Sequence, residues 1–220
     1  FLTAMMLAYQ PIRSLATINM LFYQGAAGAE RVFKVLDTEP TIKDIEGLPN
    51  LEMKKGDVEF KNVDFKYPKT DSEAVKNINI SITGGTTAAL VGHSGAGKST
   101  IINLLPRFFD PKKGEIYIDG QNINKVTLSS LRKNISLVSQ DIILFDDTIR
   151  ANILYAKMEA SDEQIKEACS FAAADDFIEN LPESYDTLIG ENGIKLSGGQ
   201  KQRISIARAV LKNSPIILLD

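Results

Sequence analysis

The stretch that decides the fold is Gly92-His93-Ser94-Gly95-Ala96-Gly97-Lys98-Ser99, which matches the pattern G-x-x-x-x-G-K-[S/T]. Residues 86–91 before it form an apolar run that predicts a strand, and residues 98–108 after it predict a helix. A phosphate-binding loop requires this context, because its glycines let successive backbone N–H groups point at phosphate oxygens. Lys98 would reach the β- and γ-phosphates, and the Ser99 hydroxyl is a ligand type for Mg²⁺. The order of strand, loop and helix disfavours a chance glycine-rich turn.

The composition is that of a folded globular chain. Of its 220 residues, 44% are hydrophobic and 24% charged, which excludes disordered, collagen-like and coiled-coil classes. A net charge of −3 gives no overall basic footprint for nucleic acid, and a single Cys excludes an internal disulfide framework. The chain opens with Phe1 inside a helical pattern and closes with Asp220 at the end of a strand pattern. We therefore expect a piece of a longer protein.

Three segments can be distinguished along the chain. Residues 1–36 predict a long helix, and their first 22 residues carry one charge, at Arg13. Its apolar part is too short to span a bilayer alone, so it is either the end of a spanning helix or a buried helix of a soluble domain. Residues 37–55 mix prolines, a glycine and charges, which predicts a linker. Residues 56–220 predict an α/β core with an antiparallel β subdomain and a helical subdomain.

Two later motifs add chemistry. Leu196-Ser197-Gly198-Gly199-Gln200 opens a predicted helix, where a hydroxyl and free backbone donors make a second anion site; alone it would be an ordinary helix cap. Residues 216–220 predict a buried strand ending in Asp220, whose carboxylate would lie at the sheet edge where such folds bind ligands and Mg²⁺. Without the phosphate-binding loop, a strand ending in a turn would be the default.

With Gln140 after another predicted strand, these elements occur in the order typical of one family. Residues 56–220 resemble the ATP-binding cassette (ABC) ATPases, which have a P-loop NTPase core. The resemblance implies that ATP and Mg²⁺ bind here, that Lys98, Gln140 and Asp220 are catalytic, and that Ser99, Gln140 and Asp220 hold the metal. It also implies that the ring of Tyr67 stacks on adenine and that the hydroxyl of Thr100 supports the α-phosphate. The full set of implied ATP-binding residues is Tyr67, Gly92, His93, Ser94, Gly95, Ala96, Gly97, Lys98, Ser99 and Thr100.

The resemblance also implies that the protein works as a dimer. Residues 196–200 would act in trans, on nucleotide held by a second nucleotide-binding domain in a homodimer. His93, the only histidine, occupies a variable position of the loop and is interpreted as a loop residue. In this family a glutamate and a switch histidine follow the aspartate at the position of Asp220. We therefore expect residues 1–220 alone to hydrolyse ATP negligibly.

Two segments resemble exporters within this family. The segment Gly190-Glu191-Asn192-Gly193 and the segment around Phe145 imply that Glu191 and Phe145 couple ATP hydrolysis to a transmembrane domain of the same chain. Residues 11–37 resemble the end of the last transmembrane helix. Residues 190–200 are most similar to the bacterial lipid A flippases, which implies ATP-driven movement of a lipid or other amphipathic substrate across the bacterial inner membrane, with the ATPase on the cytoplasmic side. The alternatives are a peptide or drug exporter, a soluble ABC-type ATPase and a non-catalytic nucleotide-binding module.

Overall fold

The structure is a computed structural model that describes residues 2–45, 47–68 and 70–220. The chain divides into two compact units, between Thr41 and Ile42. In chain order the helices and strands are α1 (Leu2–Leu36), β1 (Val58–Phe65), β2 (Val75–Ile82), α2 (Lys98–Leu104), β3 (Lys113–Ile118), β4 (Gln121–Asn122), α3 (Leu128–Lys133), β5 (Ile135–Val138), α4 (Ile149–Leu154), α5 (Asp162–Phe171), α6 (Asp175–Glu179), α7 (Gly198–Lys212) and β6 (Ile216–Leu219).

The first unit consists mainly of α1, a helix of 35 residues that ends at Leu36, as the sequence predicts. Its large apolar side chains, such as Phe22, are exposed within this unit. No helix in the described parts of the chain has an apolar stretch long enough to cross a membrane.

The second unit opens with an antiparallel sheet in the strand order β2-β1-β3-β4. β1 lies between two partners, and Phe60 pairs with Ile80 of β2 and with Ile116 of β3. A bulge between Phe60 and Val63, with Asn62 at a φ of 50°, resets the alternation so that both apolar side chains point into the core. The predicted antiparallel β subdomain is this sheet.

A second, parallel sheet positions Asp220 and the residues that follow β5. β5 and β6 pair in register from Ile135–Ile216 to Val138–Leu219, and the N–H of Asp220 extends the ladder by donating to Val138 at 3.0 Å. α7 is tied to this sheet because the Ser136 hydroxyl donates to the carbonyl of Ala209 at 3.3 Å. Residues that follow β5 and β6 therefore leave the sheet at the same edge.

Three predicted elements differ in the structure. The strand predicted as buried over residues 216–220 is half exposed, with Ile217 51% and Leu219 65% exposed, because its sheet in the described residues has only the two strands β5 and β6. Residues 86–91 form no strand: Ala88, Ala89 and Leu90 line a cavity of about 530 Å³ together with residues of β6, and no described strand pairs with this segment. The helix predicted over residues 98–108 ends at Leu104. Pro106 follows two residues later, and proline has no N–H to continue the helical hydrogen bonds.

Two hydrophobic cores fill the second unit. One lies under the antiparallel sheet and around α2, with Leu104 and Ile116 fully buried, and the other lies among α4–α7, with Ile153 and Ile204 fully buried. The second core corresponds to the predicted helical subdomain.

The end of the predicted linker packs on the second unit. Asp44 accepts the N–H of Leu128 at 2.9 Å, at the start of α3. The carboxylate of Asp119 accepts backbone N–H groups from residues 54–57 at 2.7–3.2 Å. Burial opposes ionisation of Asp119, but these hydrogen bonds lower its pKa below the usual value. Asp44 and residues 54–57 are thus fixed to the fold by charge-assisted hydrogen bonds.

Candidate functional site

The backbone of the phosphate-binding loop depends on glycine at two positions. Gly95 and Gly97 have φ angles of +79° and +89°, a region that favours glycine. A Cβ on Gly97 would also lie 2.5 Å from Cγ1 of Val75 and 2.7 Å from the carbonyl oxygen of Ala74. Gly97 is the N-cap of α2 and offers no side-chain cap, so it leaves the N–H groups of the first turn without a side-chain acceptor. The loop is therefore shaped to accept an anion.

Lys98 folds back over the loop that precedes it. Its Nζ donates to the carbonyl of Gly92 at 3.0 Å and to the carbonyl of His93 at 2.9 Å. His93 thus contributes its backbone oxygen, in agreement with its interpretation as a loop residue, and its side chain is exposed along with those of Ser94 and Ala96. Among the described residues, its hydrogen-bond partners are these two neutral oxygens, which hold the ammonium group at the mouth of the loop.

Ser99 and Asp220 are brought together although 121 residues separate them. The Ser99 hydroxyl donates to Oδ1 of Asp220 at 2.8 Å. Gln140 is exposed and follows β5 two residues after Val138, at the same sheet edge as Asp220. The sheet and the loop therefore place the three predicted metal ligands around one region, with direct contact between two of them.

The donor set fits Mg²⁺. Mg²⁺ takes hard oxygen ligands and is commonly held by one or two carboxylates together with substrate phosphates. The hydroxyl of Ser99 and the carboxylate of Asp220 are such oxygens. Among the described residues, no three His, Cys, Asp or Glu side chains cluster as an all-protein metal site would require. The site therefore suits an ion that arrives with phosphates.

Tyr67, the predicted adenine-stacking residue, is hydrogen-bonded to α2, the helix that follows the phosphate-binding loop. Its hydroxyl lies 3.1 Å from Oγ1 of the buried Thr100. Its ring packs edge-on against Phe65 and Phe109, with centroids 4.8 and 5.2 Å apart. Half-buried in this way, the ring is held in one orientation near the loop, and Phe109 is a neighbour that the sequence motifs did not reveal.

The signature segment begins α7 as the sequence predicts. Ser197 is the N-cap; its Oγ accepts the N–H of Gln200 at 3.3 Å, and its own N–H donates to Oε1 of Gln200 at 2.8 Å. This reciprocal capping box satisfies two donors that a helix end leaves open. Leu196 is buried and Gly198 and Gly199 are exposed. Within the described ranges no hydrogen bond joins this segment to the phosphate-binding loop.

The two predicted coupling residues are both exposed. Glu191 lies on a 3-10 turn, Glu191–Gly193, where a Cβ on Gly193 would come within 2.7 Å of Leu144. Phe145 is 45% exposed and its ring packs against Tyr155, with centroids 4.7 Å apart. Both side chains are accessible to another surface.

Sequence reasoning missed two residues beneath Phe145. Asn152 of α4 is 1% exposed, and Arg208 of α7 donates three hydrogen bonds to the segment that carries Phe145 and to Asn152 itself. The available signal was Arg208, which lies four residues after Ile204 on the apolar side of α7. A charged residue at such a position indicates a buried polar network.

Comparisons with known proteins agree with this geometry. A family model described as ABC transporter matches residues 75–220. The ATP-dependent lipid A-core flippases of Syntrophus aciditrophicus (strain SB) and Escherichia coli (strain K12) are 49% and 50% identical to the chain over 220 and 219 residues. They cover 100% and 99% of the chain, which spans only 36% and 37% of their length.

A solved structure gives the same result. The chain matches a bacterial Atm1-family ABC exporter with ATP bound at a TM-score of 0.87 and 43% identity, over 96% of the chain and 37% of that structure. This likeness confirms the predicted ABC ATPase fold. Because the family match covers more than half of the chain and includes the phosphate-binding loop, the chain belongs to the ABC transporter family.

Proposed function

We propose that this chain binds ATP with Mg²⁺ and that the protein to which it belongs hydrolyses ATP to export or flip a lipid such as lipid A. Membership of the ABC transporter family implies nucleotide binding. The observation that carries the proposal is the 2.8 Å contact between Ser99 and Asp220, which joins the phosphate-binding loop to the edge of the parallel sheet. A hydroxyl and a carboxylate beside a cradle of backbone N–H groups suit a metal-bound nucleoside triphosphate.

Each side chain has a role that its position supports. Lys98 would exchange the carbonyls of Gly92 and His93 for β- and γ-phosphate oxygens. Ser99 and Asp220 would hold Mg²⁺, and Gln140 would orient the attacking water at the same sheet edge. Mg²⁺, when bound, would neutralise charge on the phosphate oxygens. Tyr67 would pack against adenine while its hydroxyl keeps Thr100 in place near the α-phosphate.

The signature segment suits action across a homodimer. In the capping box, Oγ of Ser197 is the acceptor, so its hydroxyl proton is left to donate to another group. Gly198 and Gly199 are exposed and carry no side chain that would hold a second molecule away. Residues 196–200 would therefore contact the γ-phosphate of nucleotide on a partner copy.

The lipid substrate and the membrane are supported by the relatives. Two of them, each about half identical to the chain, are named ATP-dependent lipid A-core flippases. We place residues 1–36 at the end of a transmembrane domain, residues 37–55 in a linker and residues 56–220 in the nucleotide-binding domain. That domain would lie on the cytoplasmic side of the bacterial inner membrane, with Glu191 and Phe145 facing the transmembrane domain.

The test uses the full-length protein in vesicles of phosphatidylethanolamine and phosphatidylglycerol. ATP hydrolysis should require Mg²⁺ and should rise when lipid A is added, but not when a peptide or drug of similar size is added. Stimulation by the peptide or drug alone would favour the alternative exporters, and hydrolysis indifferent to every amphiphile would favour a soluble-type ATPase. No ATP hydrolysis in any vesicle would overturn the proposal.

A further inference from the structure

The exposed surface around Phe145 rests on one buried polar side chain, Asn152. Its amide Nδ2 donates to the carbonyls of Phe145 at 3.0 Å and Thr148 at 2.9 Å. Its Oδ1 accepts the N–H of Phe145 at 2.9 Å. Both backbone polar groups of Phe145 therefore bond to one amide, which fixes the backbone from which the exposed ring projects.

Arg208 holds this arrangement from α7. Its guanidinium donates to the carbonyl of Ile143 at 2.7 Å, to the carbonyl of Asn152 at 2.7 Å and to Oδ1 of Asn152 at 2.6 Å. None of the ion pairs formed by the described residues involves Arg208. Its positive charge therefore meets neutral groups in this part of the structure: the three oxygens and the ring of Phe145, whose centroid lies 6.0 Å from Cζ of Arg208. Burial lowers the pKa of the guanidinium.

Neutral acceptors make this clamp sensitive to geometry. A guanidinium presents its donors in a rigid planar fork, so three oxygens must be positioned together to satisfy it. A buried charge that loses such partners is costly, whereas a buried charge that keeps them fixes a single arrangement. The positions of residues 143–152 are thus bound to the position of Arg208 on α7.

α7 links this clamp to the signature serine. It is one continuous helix from Gly198 to Lys212, capped by Ser197 and without proline. Arg208 lies eleven residues after Ser197, which is roughly 16 Å along a helix that rises 1.5 Å per residue. Because α7 is one continuous helix, a displacement of Ser197 also displaces Arg208 and the segment that carries Phe145.

We propose that Arg208 and Asn152 are positioning residues that keep the exposed Phe145 segment in register with the signature serine, so that nucleotide engagement at Ser197 moves the coupling surface. This inference rests on the proposed function. Neither side chain would touch nucleotide: Asn152 acts through the backbone of Phe145 and Thr148, and Arg208 acts through Asn152, the carbonyl of Ile143 and the ring of Phe145. Their loss should therefore uncouple hydrolysis from the lipid rather than weaken ATP binding.

The test compares variants in the full-length protein in the same vesicles. Arg208→Lys keeps the charge but replaces the three donor nitrogens of the planar fork with one, and Asn152→Asp keeps the acceptor but loses both donors. Each should reduce the stimulation of ATPase by lipid A about fivefold or more, with the KM for ATP and the unstimulated rate within about twofold. Arg203→Lys is the matched control, since Arg203 lies on the same helix and its one hydrogen bond within the described part of the chain goes to the carbonyl of Ala173.

A purely structural role predicts a different pattern. It would lower stimulated and unstimulated rates by the same factor, in proportion to the loss of folded protein, and that result would overturn the proposal. So would full stimulation in Arg208→Lys. If the unsubstituted protein hydrolyses ATP but ignores lipid A, only the proposed substrate fails, and the following distance measurement then decides the role of the clamp.

The second measurement uses spin labels on introduced cysteines at the exposed positions Asp146 and Gln202. The native Cys169 would not be labelled, because it is fully buried and burial raises its pKa to about 11. In the unsubstituted protein the distance between the labels should be the same without nucleotide and with a non-hydrolysable ATP analogue. A nucleotide-dependent distance in the unsubstituted protein would overturn the clamp, even if the Arg208 variant does not fold. If Arg208→Lys folds, the distances between its two labels should have a broader distribution.

Discussion

The phosphate-binding loop and the signature segment both place glycines at the start of a helix, but their hydrogen bonding differs. At α2 the N-cap is Gly97, and no side chain caps the first turn. At α7 the N-cap is Ser197, and a capping box with Gln200 satisfies both residues. One helix start is open and the other is closed by its own side chains.

The difference shows which part of each segment is left for a ligand. The open start of α2 leaves backbone N–H groups to bind phosphate, with Lys98 supported above them by two carbonyls. The closed start of α7 leaves the hydroxyl proton of Ser197 and two exposed glycines. Glycine at a helix start therefore has two meanings: it indicates curvature of the backbone in the first segment and room for close approach by a partner in the second.

The largest expected effect is a difference in ATPase rate between variants of two lysines, Lys98 at the phosphate-binding loop and Lys201 at the start of α7. Lys98 donates to the carbonyls of residues 92 and 93, and Lys201 donates in the same way to the carbonyl of Asn192 at 2.7 Å. Lys98→Ala in the full-length protein should lower kcat for ATP about 10²–10³-fold, since it removes charge aimed at the reacting phosphates. Lys201→Ala should stay within about threefold of the unsubstituted rate, because it removes one exposed hydrogen bond.

Steady-state ATPase measurements at saturating ATP decide between these outcomes. Equal losses for the two lysines would mean that both act by supporting a turn, and the comparison would fail. Normal turnover in Lys98→Ala would remove the phosphate-binding role from the loop altogether.

A smaller effect tests the two glycines inside the loop. Alanine at Gly95 meets no atom within 4 Å and adds only left-handed strain, about 1–2 kcal/mol. Alanine at Gly97 has the same strain, and its Cβ also meets Val75 and the carbonyl of Ala74, so the total should be about 3 kcal/mol or more.

Denaturant unfolding without nucleotide measures both variants. Gly97→Ala should have the lower free energy of unfolding by about 1–3 kcal/mol. If the two variants are equally stable, β2 moves away at little cost, and the contact with Val75 does not constrain the loop.

Local patterns predicted the elements that carry the candidate site residues, because each motif lies within one short segment. The phosphate-binding loop, the start of α7 and the strand ending at Asp220 lie where the sequence predicted them, and the family is confirmed. The roles of all the predicted site residues, Gln140, Glu191 and Phe145 among them, stay predictions. Each role depends on contacts with a ligand or a partner, and one chain without either does not specify those contacts.

Long-range contacts limited the rest. The strand predicted at residues 86–91 was wrong, because a strand needs a hydrogen-bonding neighbour and the local pattern does not supply one. The clamp between Arg208 and Asn152 joins residues 56 positions apart, and no spacing rule connects them. A charged residue on an apolar helix face indicates that some partner exists, but only the packing of α4 on α7 identifies it.

The smallest expected effect has opposite signs for stability and activity. Gly199 is helical, has no positive φ, and its added Cβ would meet nothing within 4 Å. Gly199→Ala should therefore stabilise α7 by about 0.5 kcal/mol and raise the Tm of the nucleotide-free protein by roughly 1–2 °C. In the full-length dimer, where a partner's nucleotide would approach this turn closely, the same methyl group should lower ATPase activity about tenfold. The KM for ATP should stay nearly unchanged, because the methyl group would impair closure of the dimer and not ATP binding. A more stable protein with full activity would show that residue 199 has room for a side chain in the closed dimer. The closed start of α7 would then offer Ser197 alone to the partner, and the contrast with α2 would be one of hydrogen bonding only.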